Sequence, residues 1–97
     1  MLKAKTMSPL NTKLTAQEIQ QWLVDYVAKK LKKDPREISI KTPLSHYGID
    51  SFAELAMIER LETWLNMEID PTISYDFPTI QQLSNKLAKD LAEIVYF

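Results

Sequence analysis

The sequence predicts an all-α fold, a small four-helix bundle of three main helices and one short helix. Three observations carry this. Two segments open with a complete capping box, Thr15-Ala16-Gln17-Glu18 and Thr79-Ile80-Gln81-Gln82, each followed by an apolar run. Three stretches repeat apolar residues at three- and four-residue steps, the period of a helix packed on one face. The chain has a single glycine and no alternating run long enough to pair as a strand.

The first helix takes Thr15 as N-cap and Glu18 as its capping-box partner, with Leu14 and Ile19 placed as a hydrophobic staple. Ile19, Trp22, Leu23, Tyr26, Val27 and Leu31 form its apolar stripe. It is expected to end near Lys33, because Asp34 precedes Pro35 and is disfavoured in the α region. Residues 34–50 form a long ordered connection, punctuated by Pro35, Pro43 and Gly48, with Ile38, Ile40, Leu44 and Ile49 directed to the core. The second helix runs from about Ser51 to Leu65, with Phe52, Leu55, Ile58, Leu61 and Leu65 as its core-facing stripe. Trp64 reads as outer core. Met57, beside Glu54 and Arg60, reads either as outer core or as an outward docking point ringed by charges. Asp70-Pro71 starts a short helix, which Phe77-Pro78 stops. The last helix begins at Thr79 and buries Ile80, Leu83, Leu87, Leu91 and Ile94. Residues 1–13 read as a flexible leader and 14–97 as one domain.

At 97 residues the chain suits one domain. It has no cysteine, which excludes a disulfide framework and thiolate metal ligands and fits a reducing compartment. No apolar run approaches the roughly 20 residues of a membrane span, and no signal-peptide pattern opens the sequence. A cytoplasmic protein is expected, without a membrane partner. Its length and termini suggest a discrete protein, with a domain excised from a longer chain as the alternative, and a monomer is the simplest expectation. The net charge of −1 hides an asymmetry: residues 50–76 carry seven acids against Arg60 alone. That face repels nucleic acid and attracts basic protein surfaces. The Lys29-Lys30-Leu31-Lys32-Lys33 run reads as cations at a helix C-terminus, not a nucleic-acid patch.

Gly48-Ile49-Asp50-Ser51 places one serine at the start of a helix. Gly48 allows a tight turn, Asp50 caps the helix, and Ser51 falls where free N–H groups and the helix dipole favour a phosphate. A nucleophilic serine needs a base and a group that orients it. The sole histidine, His46, has no visible orienting partner and reads as a polar loop residue. Covalent phosphate-linked modification therefore suits Ser51 better than catalysis.

With Tyr75-Asp76-Phe77-Pro78-Thr79-Ile80 downstream, these residues resemble acyl carrier proteins, and more closely the carrier domains of modular polyketide synthases. The resemblance covers roughly Leu14 to Leu91. Leu61-Glu62-Thr63-Trp64-Leu65, Pro71-Thr72 and Tyr75-Asp76 look like discrete or loading-type carriers that receive fatty acyl groups from acyl-adenylate ligases. The resemblance implies a bundle of the acyl-carrier type. It implies a 4′-phosphopantetheine arm on Ser51, added from coenzyme A by a phosphopantetheinyl transferase, with Gly48 and Asp50 shaping the attachment site. It implies a non-catalytic carrier of acyl or polyketide intermediates as thioesters, meeting ligase or synthase enzymes through Asp50, Glu54, Met57, Glu59 and Glu62. Phe52 departs from the leucine more usual after the serine. Asp50 favours an acyl carrier over a peptidyl or aminoacyl carrier, which often has histidine there. An unmodified helical interaction module and a serine hydrolase are the remaining alternatives.

Overall fold

The computed structural model describes residues 14–94. The leader expected over 1–13 lies outside the described residues, as do 95–97. Among the described residues there are four α-helices and no strand: α1 (Ala16–Leu31), α2 (Ser51–Leu65), α3 (Ile73–Asp76) and α4 (Ile80–Ala92). The connection from α1 to α2 contains two 3₁₀ turns, Pro35–Glu37 and Leu44–Tyr47.

Both expected capping boxes form. Thr15 Oγ1 accepts the Glu18 N–H at 3.1 Å while Glu18 Oε1 accepts the Thr15 N–H at 2.9 Å, and Thr79 and Gln82 repeat the exchange. Each box satisfies two donors that a helix start leaves free, which stabilises the helix by about 1 kcal/mol. α1 ends slightly before the expected point. Lys32 turns left-handed (φ 58°) and the N–H of Lys33 closes onto the Ala28 carbonyl at 2.9 Å. Asn66 ends α2 in the same way (φ 54°).

The core is formed by Ile19, Leu23, Val24, Val27 and Ala28 of α1, Met57, Ile58, Leu61 and Leu65 of α2, Ile73 of α3, and Ile80, Leu83, Leu87 and Leu91 of α4. α1 and α4 pack directly on each other. Full burial of one such aliphatic side chain stabilises by about 1.5–3 kcal/mol, so this core outweighs the caps. Among the described residues Ser84 is the one buried polar residue, and its hydroxyl donates to the Ile80 carbonyl.

The long connection is pinned at several points. Ile38, Leu44 and Ile49 are buried, as expected, and Ile40 is half-buried against the core. The Leu44 N–H donates to the Pro78 carbonyl and the Gln81 N–H to the Ile40 carbonyl, both at 3.0 Å. These bonds tie the connection to the start of α4. Tyr47 closes it internally: its hydroxyl accepts the Ser39 N–H at 2.7 Å and donates to the Ser39 carbonyl at 3.1 Å. Farther on, Asp70 opens a turn before α3, accepting the backbone N–H and the hydroxyl of Thr72, both at 2.8 Å. The backbone bond first, then the hydroxyl, holds the Asp70 carboxyl below its ordinary value of 3.8. α3 itself begins at Ile73, two residues later than the expected start at Pro71, with Thr72 and not Asp70 in the cap position.

Replacing Tyr47 with Phe removes a hydroxyl serving two backbone groups. The expected loss is about 1–2 kcal/mol, read from urea unfolding with an unchanged m-value.

Candidate functional site

The pinned connection delivers its last residues to the start of α2. Gly48 ends the second 3₁₀ turn at φ 75° and donates its N–H to the Ser45 carbonyl at 3.1 Å. A β-carbon there would meet nothing within 4 Å, so the left-handed backbone, not crowding, accounts for glycine. Ile49 drops into the core and Asp50 is extended and exposed. The Asp50 carboxylate accepts the Ala53 N–H and its carbonyl accepts the Glu54 N–H, both at 2.8 Å. Ser51 is therefore the first residue of α2, and it is exposed.

The surroundings of Ser51 suit an anion. No hydrogen bond of its hydroxyl, and none of the Ser51 or Phe52 N–H groups, is found among the described residues. Those N–H groups sit at the positive end of a 15-residue helix. A phosphodiester on the hydroxyl fits this setting: it would place negative charge beside free donors and displace no packed side chain. His46 is exposed in the preceding turn, and no hydrogen bond of its ring to Ser51 or to an orienting group is found among the described residues. Among the described residues, no group of His, Cys, Asp or Glu is arranged to hold a metal ion.

The remaining residues of α2 are placed differently from expectation. Met57, grouped with the outward recognition residues, is completely buried. Phe52 and Leu55, expected in the core stripe, are 84% and 42% exposed. Rotation accounts for all three. At about 100° per residue, Met57 lies about 40° from Leu61, whereas Phe52, nine residues before Leu61, lies about 180° from it. Glu59 is exposed. Glu62 is half-buried, and its Oε2 accepts the Ile69 N–H at 2.8 Å, fastening the chain after α2. Glu54 is also half-buried, with Oε2 enclosed and unpaired. Asp50 and Glu59 are thus the fully presented acids. Phe52, Leu55 and Tyr75, the last 81% exposed on α3, add apolar surface that the sequence reading did not assign to partners.

Residues 21–87 match the family model for a phosphopantetheine attachment site. An acyl carrier protein from Teredinibacter turnerae, TtuC, is 33% identical over 64 residues, which is 66% of this chain and 74% of that protein. Curated polyketide synthases match as well, and the chain spans only 2% to 5% of their length. Among solved structures, Asl1650 of Anabaena sp. PCC 7120 is described as an acyl carrier protein with a variant phosphopantetheinylation-site sequence. It superposes with a TM-score of 0.77 at 33% identity, covering 90% of this chain and 94% of that one. A free-standing peptidyl carrier protein of Acinetobacter baumannii superposes with a TM-score of 0.73 at 28% identity, covering 79% and 96%. The bundle is thus of the acyl-carrier type, as the sequence led us to expect.

Asp50→Ala is expected to lower stability by about 1 kcal/mol through the lost cap, and Asp50→Asn to retain most of it. Thermal or urea unfolding of the two variants beside the parent checks this.

Proposed function

The chain belongs to the phosphopantetheine attachment-site family, and on that premise we propose that it is an acyl carrier whose arm is attached at Ser51. The observation that carries this reading is the exposed Ser51 hydroxyl at the first position of α2, for which no hydrogen bond is found among the described residues. In the proposed reaction a phosphopantetheinyl transferase positions coenzyme A against α2. The Ser51 oxygen attacks the phosphorus that bears pantetheine. A new O–P bond forms, the bond to the nucleotide half breaks, and the hydroxyl proton passes to a base of the transferase. The free N–H groups of Ser51 and Phe52 stabilise the phosphodiester charge. Asp50 keeps the helix start ordered without occupying those donors.

Once attached, the 4′-phosphopantetheine arm supplies a terminal thiol, which this cysteine-free chain lacks, to hold acyl or polyketide intermediates as thioesters. The protein's part is then tethering, which raises the effective concentration of the acyl group at a partner's active site. Asp50 would steer basic partner surfaces toward the start of α2. Glu54 and Glu62 contribute charge from half-buried positions, and Phe52 and Leu55 supply apolar contact. Acyl-adenylate ligases and polyketide synthase enzymes are the proposed partners. A peptidyl carrier is the second reading, favoured by the likeness to the Acinetobacter baumannii protein. Asp50 before the serine supports the acyl reading.

Incubation with coenzyme A and a broad-specificity transferase is expected to add the mass of one phosphopantetheine, and Ser51→Ala to abolish the gain while leaving the unfolding transition unchanged. Labelling of the alanine variant would contradict the site. Loading by a fatty-acyl adenylating enzyme, and not by an amino-acid adenylating one, separates the two carrier readings.

A further inference from the structure

We propose that the groove between α1 and α2 docks an acidic amphipathic helix of a partner polypeptide, anchored by an aromatic or large aliphatic side chain. The floor of the groove is aromatic. Trp22 stacks on Tyr26, also of α1, and on Trp64 of α2, with ring centroids 5.3 and 5.5 Å apart and planes within 12° and 16°. Rings from two helices thus form one stack across the groove, and Trp64 is 38% exposed. The groove is a shallow, open depression of about 1060 Å³. From Ala56 to Trp64 it runs about 12 Å along α2, room for about two turns of a third helix. Half-exposed tryptophans in a concave surface are what binding hot spots are built from.

The charges on its rim select the occupant. Lys29, Lys30 and Arg60 line the groove and are exposed, and no ion pair of any of them is found among the described residues. Two acids also line it. Asp25 already accepts a hydrogen bond from the Gln21 amide at 2.9 Å, and Glu59 is the other. The cations outnumber the acids, and a carboxylate-bearing helix complements them. A second copy fits less well, because a two-fold pairing offers two acids for three cations and leaves one cation of each copy unmatched. The groove and Ser51 are offset along α2: its near end at Ala56 lies five residues from Ser51, about 7.5 Å along the helix axis, and its aromatic end at Trp64 thirteen residues, about 20 Å.

The test is an NMR titration of the isotope-labelled full chain with a synthetic fourteen-residue helical peptide carrying glutamates and one tryptophan. The control is the same peptide with lysine in place of every glutamate. The expected result is shifts at the Trp22 and Trp64 indoles and at Arg60 with the acidic peptide only, weakening as salt is raised. Trp64→Ala, and separately the pair Lys30→Glu with Arg60→Glu, should each weaken binding by about tenfold with the helical circular dichroism unchanged. Equal binding of the lysine peptide would overturn the proposal, as would shifts centred on Phe52 and Leu55 or no shift at about 1 mM peptide. So would a concentration-dependent dimer lost in Trp64→Ala, which would assign the groove to a second copy.

Discussion

The clamp on the long connection is the constraint from which the site follows. Seventeen residues would otherwise leave the start of α2 free to sample many positions, at a backbone entropy of about 1–2 kcal/mol for each residue fixed. Buried Ile38, Leu44 and Ile49, the Tyr47 hydroxyl on both backbone groups of Ser39, and the two backbone bonds to the start of α4 hold it. Only then does the left-handed turn at Gly48 point Asp50 and Ser51 outward. The downstream Phe77-Pro78-Thr79 element has a physical role in this arrangement. The Pro78 carbonyl accepts from Leu44, and Pro43 and Thr79 form the one bridge found among the described residues.

The two capping boxes, the Asp50 cap and the Gly48 turn were legible in the sequence because each is decided within three or four residues. The stripe of α4 was legible from Ile80 to Leu91, with Ile94 only partly buried; in α1 Ile19, Leu23 and Val27 are buried as expected, but Trp22, Tyr26 and Leu31 are only partly buried and Val24 and Ala28, outside the expected stripe, complete the core. α2 was harder. Its apolar residues occur on every side, so a series of three-residue steps from Phe52 through Leu55 and Ile58 to Leu61 looked like one face. Each such step lags a full turn by about 60°, and three of them cross to the opposite side. Summing angles from Leu61 would have put Met57 inside and Phe52 outside.

Other features depend on contacts between distant parts of the chain, and no local pattern announces them. Glu62 carries the same charge as Glu59 and lies on the same helix, yet its carboxylate is committed to the Ile69 N–H. The stack of Trp22 on Trp64 joins residues 42 positions apart and appears only once α1 and α2 lie side by side. The result is a helix with two separate exposed apolar regions. One begins at Phe52, beside Ser51, and the other lines the groove toward Trp64.

Peptide mapping of the transferase-treated wild-type chain by tandem mass spectrometry tests the central claim most directly, because it locates the arm on an atom's own residue. The account requires the phosphopantetheine mass on the fragment that contains Ser51, with Ser45 and Ser39 bare. An arm found on another serine, or an unmodified chain after treatment that fully converts a control carrier, would contradict it.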